Sequence, residues 1–486
     1  MNIAGNFIAT AGRLPEKPFL VAPNGSIFTY SQILSRARRF ATLLASRGAR
    51  PGDRVILTFP NSVDYLCAYL GALFLDCTVL IVDHRSRPAH LEYVRDNCQV
   101  SLWAAPGERT EFGHIPGLVV FPSDLDRIPE MPMKRLCSGN NPFALIMYTS
   151  GATGIPKGVC LSHDNLQHTI RSITQWARID EDDRELTTLS LAHLFGLAHT
   201  HIYWTLGGTL FLEERLKDIP RILEKISRER ITSFPGTPGG FKIIIDKFAD
   251  LFATHARGLK YIIVNSAPMA REYIGKILDL LPETRFYMYY GLTEASRSSC
   301  ICYNDHRDKL ETVGRPTPGS EIRVGTPSSP LVQETGEILI RGPHLTSGYW
   351  GLDSTPYFNK GWFRTGDLGS MDSDGFLTWK GRLKEQINID GLKLTPMEVE
   401  TVLMEHAGVL DCAVVGAPDE MTGESVVAFI VPRGVPDKRL EIDIRKFCKS
   451  RLEIFKVPTK IVFIEEIPRT DTGKSMRISL KDRLFP

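Results

Sequence analysis

Helix-like and strand-like segments alternate along most of this 486-residue chain, and the alternation limits the folds open to it. Apolar residues recur at helical spacing over 33–44, Gly48 and Pro51 follow as stop signals, and RVILTF at 54–59 is typical of a buried strand. The same order recurs in DYLCAYLGALFL before TVLIVD, RILEKISRER before ITSFPG, and EYIGKILDLL before RFYMYYG. Such units predict largely parallel sheets covered by helices, so the predicted fold class is α/β.

Two changes of pattern divide the chain. Short strand-like pieces separated by Gly, Pro and Asp turns occupy about 312–380 and predict a β-rich subdomain. The helix–strand units then restart: 395–398 (TPME) fits a helix-capping box, and DCAVVG, VVAFIV and KIVFIE are predicted strands around a helix near 438–452. We expect a large N-terminal domain over 1–380, a hinge at 381–385, and a small mobile α+β C-terminal domain over 386–486.

The charge balance favours a small-molecule substrate. Lys and Arg number 58 against 56 Asp and Glu, a net charge of +2, so no basic excess predicts binding to nucleic acid or an anionic bilayer. The longest apolar stretch, 66–75, is too short for a membrane span and is bracketed by Asp64 and Asp76. The nine scattered cysteines and the lack of a secretory leader predict reduced thiols in a cytoplasmic protein that begins at or near Met1.

The segment YTSGATGIPKG at 148–158 indicates phosphate chemistry. Its small hydroxyl residues and glycines would let backbone N–H groups approach a polyphosphate, and Lys157 adds a positive charge. The segment is not a Walker A loop, because the GxxxxGK[ST] spacing fails here and also at 473–475, where Pro468 occupies the first glycine position. Taken alone, the loop could equally be an ordinary turn.

Four further segments follow this loop in a fixed order: YYGLTEA at 289–295, FRTGDLG at 363–369, GRLKEQINIDGLKLTPMEVE at 381–400, and PRTDTGKSMR at 468–477. Together the five segments resemble the motifs of the acyl-adenylate-forming (ANL) superfamily of acyl-CoA synthetases, aryl- and acyl-adenylating enzymes, amino-acid adenylation domains and luciferases. The resemblance covers essentially the whole chain. It implies that a carboxylate oxygen attacks the α-phosphorus of ATP while pyrophosphate leaves, with the active site between the two domains. Cations and backbone donors must then surround the crowded negative charge.

The resemblance also implies roles for individual residues. Lys474 would stabilise the transferring α-phosphate and the substrate carboxylate, Thr293 would contact the α-phosphate, and Glu294 would help to bind Mg²⁺. Lys384 occupies the hinge position of the family. Tyr290 would stack on adenine, and Asp367 would accept hydrogen bonds from the ribose hydroxyls. The implied ATP-binding residues are Thr149, Ser150, Gly151, Thr153, Gly154, Lys157, Ser266, Ala267, Pro268, Tyr289, Tyr290, Gly291, Asp367 and Arg382.

The chain departs from the family pattern in two places. Ala152 stands where the phosphate loop commonly carries Thr or Ser, which removes one hydroxyl but leaves the backbone donors. NSAP at 265–268 stands where a glycine-containing wall of the adenine pocket is common. We expect the second departure to alter the details of the nucleotide pocket.

The segment SLAHLFGLAHTH at 190–201 bears on the substrate. His193 matches a family histidine that we interpret as catalytic or as a wall or gate of the acyl pocket, and no aspartate that could pair with a substrate ammonium occurs over 190–208. An α-amino acid is therefore disfavoured. The histidines at 193, 199 and 201 have no acidic or cysteine neighbour in the sequence, which argues against zinc. The predicted acyl pocket is largely apolar and contains His193, Phe195, Phe234, Gly236, Thr237, Pro238, Gly239 and Ser296.

Three hypotheses remain at this point. The first is a ligase that uses ATP and Mg²⁺ to make an acyl-AMP and then a thioester, with coenzyme A or the phosphopantetheine thiol of a free-standing carrier protein as acceptor. GLK at 391–393 matches a family loop beside the thiol tunnel and favours this hypothesis, and no carrier domain follows Lys474. The second is an amide-forming ligase that passes the acyl group to an amine. The third, a catalytically silent nucleotide-binding protein, is disfavoured because the charged catalytic positions are retained.

Overall fold

The computed structural model describes residues 2–106, 118–121, 125–139, 141–149, 156–326, 328–331, 333–470 and 475–484. The chain divides into two compact units. The first unit contains Met1–Asn265, Met269–Ile322 and Ile340–Phe363, and the second contains Ser266–Pro268, Arg323–Leu339 and Arg364–Pro486. Residues 364–380 therefore group with the C-terminal elements, and the hinge at 381–385 stays a prediction.

The described residues contain twelve α-helices and twenty-six strands. The helices are α1 (Ala4–Arg13), α2 (Tyr30–Ser46), α3 (Val63–Phe74), α4 (Pro88–Cys98), α5 (His163–Ala177), α6 (Leu194–Leu206), α7 (Ile219–Arg228), α8 (Pro238–His255), α9 (Arg271–Leu280), α10 (Pro396–Met404), α11 (Lys438–Lys449) and α12 (Arg477–Asp482). The strands are β1 (Pro18–Val21), β2 (Ile27–Thr29), β3 (Arg54–Leu57), β4 (Thr78–Ile81), β5 (Leu102–Pro106), β6 (Leu118–Phe121), β7 (Phe143–Thr149), β8 (Lys157–Ser162), β9 (Arg184–Thr187), β10 (Thr209–Leu212), β11 (Ser233–Gly236), β12 (Tyr261–Val264), β13 (Arg285–Tyr290), β14 (Ser299–Cys302), β15 (Arg315–Pro316), β16 (Glu321–Val324), β17 (Gly336–Arg341), β18 (Gly348–Tyr349), β19 (Phe358–Asn359), β20 (Trp362–Met371), β21 (Leu377–Arg382), β22 (Ile387–Ile389), β23 (Leu392–Leu394), β24 (Val409–Asp419), β25 (Gly423–Pro432) and β26 (Lys460–Phe463).

Two sheets with parallel centres form the frame of the first unit. One has the order β15-β14-β13-β12-β11-β9-β10-β1-β2 and is parallel from β13 to β1. The other has the order β18-β8-β7-β4-β3-β5-β6 and is parallel from β7 to β6. One apolar core joins side chains of both sheets with those of α1, α2, α3, α5 and α6. The α/β fold class is confirmed, because every helix–strand pair predicted from the sequence is present.

Close approach of two helices fixes part of this core. Every residue of α3 from Tyr65 to Phe74 is buried, so the helix is apolar on all sides. A Cβ atom added at Gly71 would lie 2.9 Å from the backbone oxygen of Ala37 in α2. Only glycine permits α2 and α3 to pack at this distance.

The predicted β-rich segment is also confirmed. Strands β15–β20 lie within residues 312–380 and β21 begins there; a five-stranded sheet has the order β16-β17-β20-β19 with β21 paired to β20. The pairing of β20 with β21 is antiparallel and places Asp367 opposite Arg382.

The C-terminal part of the second unit is a sheet with helices on both faces. Its order is β23-β22-β25-β24, and β26 pairs in parallel with β25. Alternate residues of β25 enter two different apolar clusters, one shared with α10 and α11 and the other with α12, as the two-residue period of a strand requires. The predicted start of α10 is confirmed: Pro396 occupies its first turn, and Glu398 Oε1 accepts from the backbone N–H of Thr395 at 2.9 Å.

All nine cysteines are free thiols. Across the described ranges, no helix has both the length and the apolar content needed to cross a membrane.

Candidate active site

The predicted phosphate loop connects the two strands of a hairpin. Strands β7 and β8 pair antiparallel, and their register ends with Thr149 opposite Lys157. Ser150, Gly151, Thr153 and Gly154, together with Ala152, lie outside the described residues. Strand pairing therefore sets the two ends of the predicted loop side by side.

Two tyrosines that the sequence analysis did not identify contact Lys157. Its ammonium group donates to the hydroxyl of Tyr357 and lies 4.5 Å from the centre of that ring. The ring of Tyr349 lies 5.4 Å away, and the two rings meet edge to face at 4.7 Å. Aromatic faces attract a cation, so this pair positions the lysine and reduces the cost of its partial burial.

Tyr349 also contacts the predicted magnesium ligand. Its hydroxyl donates to Glu294 Oε1 at 2.9 Å, and the backbone oxygen of Glu294 accepts from Thr346 at 2.8 Å. Lys157 and Glu294, which are far apart in the sequence, therefore belong to one cluster joined by Tyr349 and Tyr357. We refer to these four residues as the tyrosine cluster. No motif in the sequence marked Tyr349 or Tyr357 as part of the site.

A tight turn after β13 presents Thr293 and Glu294. Leu292 and Ala295 exchange backbone hydrogen bonds of 3.0 and 3.2 Å across the turn. A Cβ atom at Gly291 would lie 2.5 Å from the backbone nitrogen of Arg297, so the turn requires glycine at this position. Strand β13 is parallel to β12 and β11, and the turn follows its carboxyl end, which is where open α/β sheets bind ligands.

The predicted acyl-pocket residues of β11 and α8 lie at the same edge of the sheet. Gly236 ends β11, where a Cβ would lie 2.8 Å from the ring of Phe241. Thr237 caps α8 by accepting from Gly240 N at 3.2 Å, and Pro238 follows in the first turn. Phe234 is buried against Phe241, whereas space is open beside Gly239.

An aromatic contact links α6 with β13. His193 precedes the first residue of α6, and Phe195 in the first turn meets the ring of Tyr289 edge to face at 5.5 Å. Burial raises the pKa of Tyr289 to about 12, so its hydroxyl keeps its proton at neutral pH. Tyr290, the predicted adenine-stacking residue, is the last residue of β13 and is also buried.

Glu185, His199 and Arg297 are polar groups near this aromatic contact that the sequence analysis did not identify as partners: His199 meets the ring of Phe195, and Arg297 lies over the ring of Tyr289. His199 Nδ1 donates to Glu185 Oε2 at 2.8 Å, and Ser233 Oγ donates to the same carboxylate oxygen at 2.9 Å. The lack of an acidic neighbour for His199 in the sequence was therefore misleading, because His199 in α6 contacts Glu185 in β9. His201 has a different partner, the hydroxyl of Tyr69 at 3.0 Å. Arg297, directly after the predicted pocket residue Ser296, is 2 % exposed.

The second unit brings together the two residues predicted to bind ribose. Asp367 is 1 % exposed, and its Oδ1 lies 2.7 Å from Arg382 Nε. The backbone N–H of Asp367 donates to Thr365 Oγ1 at 3.0 Å, and the Thr365 hydroxyl donates to the Ile338 carbonyl at 2.7 Å. Strand register and these hydrogen bonds hold the carboxylate in one position.

A non-glycine residue adopts a left-handed backbone in the segment that replaces the glycine-containing adenine wall. Ser266 has φ +89°, a conformation that favours glycine, and Ala267 and Pro268 follow it. The departure seen in the sequence therefore changes the side chain at a position whose backbone still has the glycine-like conformation.

Three further predicted features lie in the second unit. Lys384 is exposed within a short 3₁₀ turn, Leu383–Glu385, after β21. The residues at 390 and 391 make the tight turn between β22 and β23, both with positive φ, and so present the predicted thiol-tunnel loop. Lys474 lies outside the described residues, but Arg469 and Ser475 on either side of its segment form an antiparallel bridge, and Arg469 pairs with Asp411 at 2.8 Å.

Comparison with known proteins identifies the class. The AMP-binding enzyme family matches residues 7–350, and the AMP-binding enzyme C-terminal domain matches residues 398–474. The chain belongs to the AMP-binding enzyme family. Within it the chain is an adenylate-forming acid–thiol ligase, which uses ATP to make an acyl-adenylate and passes the acyl group to a thiol.

Similar proteins cover the chain almost completely. A feruloyl-CoA synthase from Amycolatopsis sp. is 29% identical over 99% of this chain and 98% of its own length. The long-chain-fatty-acid–CoA ligase FadD13 of Mycobacterium tuberculosis is also 29% identical, over 96% of each chain. The structure of o-succinylbenzoate CoA synthetase (MenE) from Bacillus subtilis with its acyl-adenylate OSB-AMP aligns with a TM-score of 0.88 over 98% of each chain, at 24% identity. That structural similarity shows that the two proteins share a fold over nearly their whole length.

Proposed function

We propose that this protein joins a carboxylic acid to coenzyme A through an acyl-AMP bound to the residues described above. A carboxylate oxygen attacks the α-phosphorus of ATP, a new P–O bond forms, and pyrophosphate leaves. The thiol of coenzyme A then attacks the acyl carbon, its proton passes to solvent or a base, and AMP leaves with the oxygen that came from the acid. The products are an acyl thioester, AMP and pyrophosphate.

The observation that carries this proposal is the tyrosine cluster. It places an ammonium group at one end of the predicted phosphate loop and joins it through two aromatic rings to the carboxylate of Glu294. Pyrophosphate departure requires positive charge near the phosphates and a carboxylate that can hold a divalent cation.

The donor set at Glu294 fits Mg²⁺. The carboxylate is half-buried, and only one of its oxygens is fixed by Tyr349. Mg²⁺ prefers a small number of carboxylate oxygens together with substrate phosphates, and bound there it would neutralise charge on the leaving pyrophosphate. In this proposal Glu294 holds the cation, Thr293 donates to the α-phosphate, and Lys157 binds the terminal phosphates.

The remaining nucleotide contacts are assigned to residues that the sequence analysis identified. Asp367, preorganised by Arg382 and Thr365, accepts from the ribose hydroxyls. Tyr290 stacks on adenine, and the segment that contains Ser266 is assigned to ATP binding. Lys474 stabilises the charge that develops on the α-phosphate and the attacking carboxylate, and Lys384 is the point about which the C-terminal elements move after adenylation.

Coenzyme A is proposed as the acceptor, in preference to a carrier protein or an amine. The tight β22–β23 turn exposes Leu392 and Lys393, which matches the family loop beside a thiol tunnel. An aromatic and apolar environment around Phe195, Phe234 and Tyr289 favours an acid with a ring or a chain. The free thiols agree with the predicted cytoplasmic location, which is part of this proposal.

Pyrophosphate release tests the function. The protein, ATP and Mg²⁺ are incubated with aryl, straight-chain and amino acids. Each acid is tested with coenzyme A, with an amine, and with neither, and the products are identified by mass spectrometry. We expect release with a non-amino acid and a coenzyme A thioester as product. An amide formed in the absence of thiol would instead establish the amide-forming alternative.

A lysine variant tests the assigned chemistry. Lys474→Ala should lower the rate of adenylation about 100- to 1,000-fold, the usual effect of removing one donor to a developing charge, while ATP binding remains measurable by calorimetry. The matched control is Lys449→Ala, which removes an exposed lysine at the end of α11. Equal rates in both variants would refute the role of Lys474.

A further inference from the structure

Arg297 has more hydrogen-bond donors than the surrounding protein satisfies. Its side chain is 2 % exposed, although a guanidinium carries five N–H groups. Nη1 donates to Ser296 Oγ at 2.9 Å, and Nη2 reaches the backbone oxygen of Phe195 only at 3.5 Å, the limit of a hydrogen bond. Nε is buried and has no hydrogen-bond partner among the described residues.

The positive charge of Arg297 is also poorly compensated. Within the described part of the chain, no carboxylate forms an ion pair with it. The buried carboxylate of Glu185 acts on Arg297 only as a longer-range charge: its Oε2 accepts from His199 and Ser233, and its Oε1 has no hydrogen-bond partner among the described residues. Burial lowers the pKa of Arg297, which is the direction expected when the protein solvates the cation incompletely. Such groups are costly unless another partner satisfies them.

The two hydrogen bonds and the ring contact of the guanidinium involve residues assigned to the acyl pocket or to ATP binding. It lies 4.8 Å from the centre of the Tyr289 ring, and that ring packs edge to face on Phe195. Its two hydrogen-bond acceptors belong to Ser296 and Phe195, which are both predicted acyl-pocket residues. The guanidinium is therefore placed where the acyl group is expected.

The backbone holds Arg297 firmly in this place. Its φ of +62° is a left-handed conformation that non-glycine residues rarely adopt. The neighbouring turn is so close that Gly291 cannot carry a Cβ, which leaves the backbone nitrogen of Arg297 no room to shift. A conformation of this kind persists only where its surroundings enforce it, and it is enriched at ligand sites.

Building on the proposed function, we propose that Arg297 binds an oxygen acceptor on the acyl part of the substrate, remote from the reacting carboxyl group. The preferred acids then carry a second carboxylate, or a keto or hydroxyl oxygen. A carboxylate is the strongest partner, because it can accept two parallel N–H bonds from a guanidinium and matches its charge. An unsubstituted alkyl or aryl acid would bury the guanidinium with its donors still unsatisfied.

Matched acids test this assignment. Several chain lengths are used, and at each length the far end is a methyl, a hydroxymethyl or a carboxylate group. Pyrophosphate release gives kcat/KM for each acid with the wild type, Arg297→Met and Arg297→Lys. We expect the wild type to prefer the oxygen-bearing acid by about 10- to 100-fold at the best length, the usual value of a hydrogen bond to a charged group. Arg297→Met should lose that preference, and Arg297→Lys should keep part of it.

The control variant is Arg228→Met, which removes an exposed arginine of α7 and should leave the preference for oxygen-bearing acids unchanged. A wild type that favours the methyl-ended acids at every length would overturn the assignment even if Arg297→Met failed to fold, and so would a folded Arg297→Met that retains the preference. Release with methyl-ended acids alone would leave the proposed ligase function intact. No release with any acid would overturn that function and this inference with it.

Discussion

At the scale of single residues, neighbouring groups position the charged side chains of the candidate active site. Lys157 and Glu294 are both typical surface residue types, yet Tyr349 and Tyr357 hold them half-buried in one cluster. Asp367 is similarly fixed by Arg382 across a strand pair. Preorganised charges of this kind stabilise a transition state without reorganising when it forms.

The Tyr349 hydroxyl can be tested separately from its ring. Tyr349→Phe removes the donor to Glu294 Oε1 and keeps the aromatic contact with Lys157. We expect kcat/KM for MgATP to fall about tenfold, which is the low end of the effect of losing one hydrogen bond to a charged group. Steady-state pyrophosphate release over a range of Mg²⁺ concentrations measures the effect, which should decrease at high Mg²⁺. Tyr273→Phe is the matched control, since that hydroxyl also donates to a carboxylate, Asp246, at 2.9 Å. Equal losses in both variants would indicate a general stability effect.

At the scale of secondary-structure elements, the packing of α2 on α3 depends on one missing methyl group. Gly71→Ala would place Cβ 2.9 Å from Ala37 O and 3.1 Å from Ala41 N. Because both contacts are backbone atoms, α2 must move, and the free energy of unfolding should fall by about 1–3 kcal/mol. Denaturant unfolding checks this value.

The control for Gly71 lies in α9. Gly275 is also inside a helix, but an added Cβ would meet nothing within 4 Å. Gly275→Ala should therefore raise the free energy of unfolding by up to about 1 kcal/mol through helix propensity alone. If the free energy of unfolding falls in Gly71→Ala and rises in Gly275→Ala, the packing described here is supported. Changes in the same direction would contradict it.

The contact between α1 and α5 should depend on pH. His163 Nδ1 accepts from the backbone N–H of Ile3 at 3.1 Å, so this nitrogen must be unprotonated, and burial lowers the pKa of His163 to about 4. The unfolded chain takes up this proton near pH 6.5 and the folded chain only near 4. The neutral His163 therefore makes its full contribution to the free energy of unfolding above pH 6.5. This contribution, about 3 kcal/mol, is lost as the pH falls towards 4. Denaturant unfolding at several pH values should show that the free energy of unfolding changes less between pH 4 and 6.5 in His163→Gln than in the wild type.

At the scale of the whole molecule, the two reaction steps should separate at the hinge predicted for Lys384. Proline fixes φ and removes the N–H group, so Lys384→Pro restricts rotation in the exposed turn Leu383–Glu385. Isotope exchange between pyrophosphate and ATP should continue at a similar rate, whereas thioester formation should slow about tenfold or more. Lys384→Ala is the control for loss of the side chain alone. If both steps slowed equally in the proline variant, the turn would not act as a hinge.

The sequence predicted local order well because local order depends on periodicity. The helix over 33–44, the capping box at 395–398 and the helix–strand pairs all follow from apolar spacing and turn residues that lie within one segment. The ordered motifs likewise led to the family. The sequence did not reveal Tyr349 beside Glu294, Glu185 beside His199, or the burial of Arg297, because each depends on contacts between distant segments.

Transfer of an oxygen atom from the acid to AMP is the most direct test that the reaction proceeds through an acyl-AMP. A carboxylic acid that the protein accepts is labelled with ¹⁸O in both carboxyl oxygens and incubated with ATP, Mg²⁺ and coenzyme A, and the AMP is analysed by mass spectrometry. An acyl-adenylate leaves one acid oxygen on the phosphate, so the account predicts AMP that carries one ¹⁸O together with a coenzyme A thioester. Unlabelled AMP, or ADP and phosphate in its place, would show that the acid is not activated through an acyl-AMP.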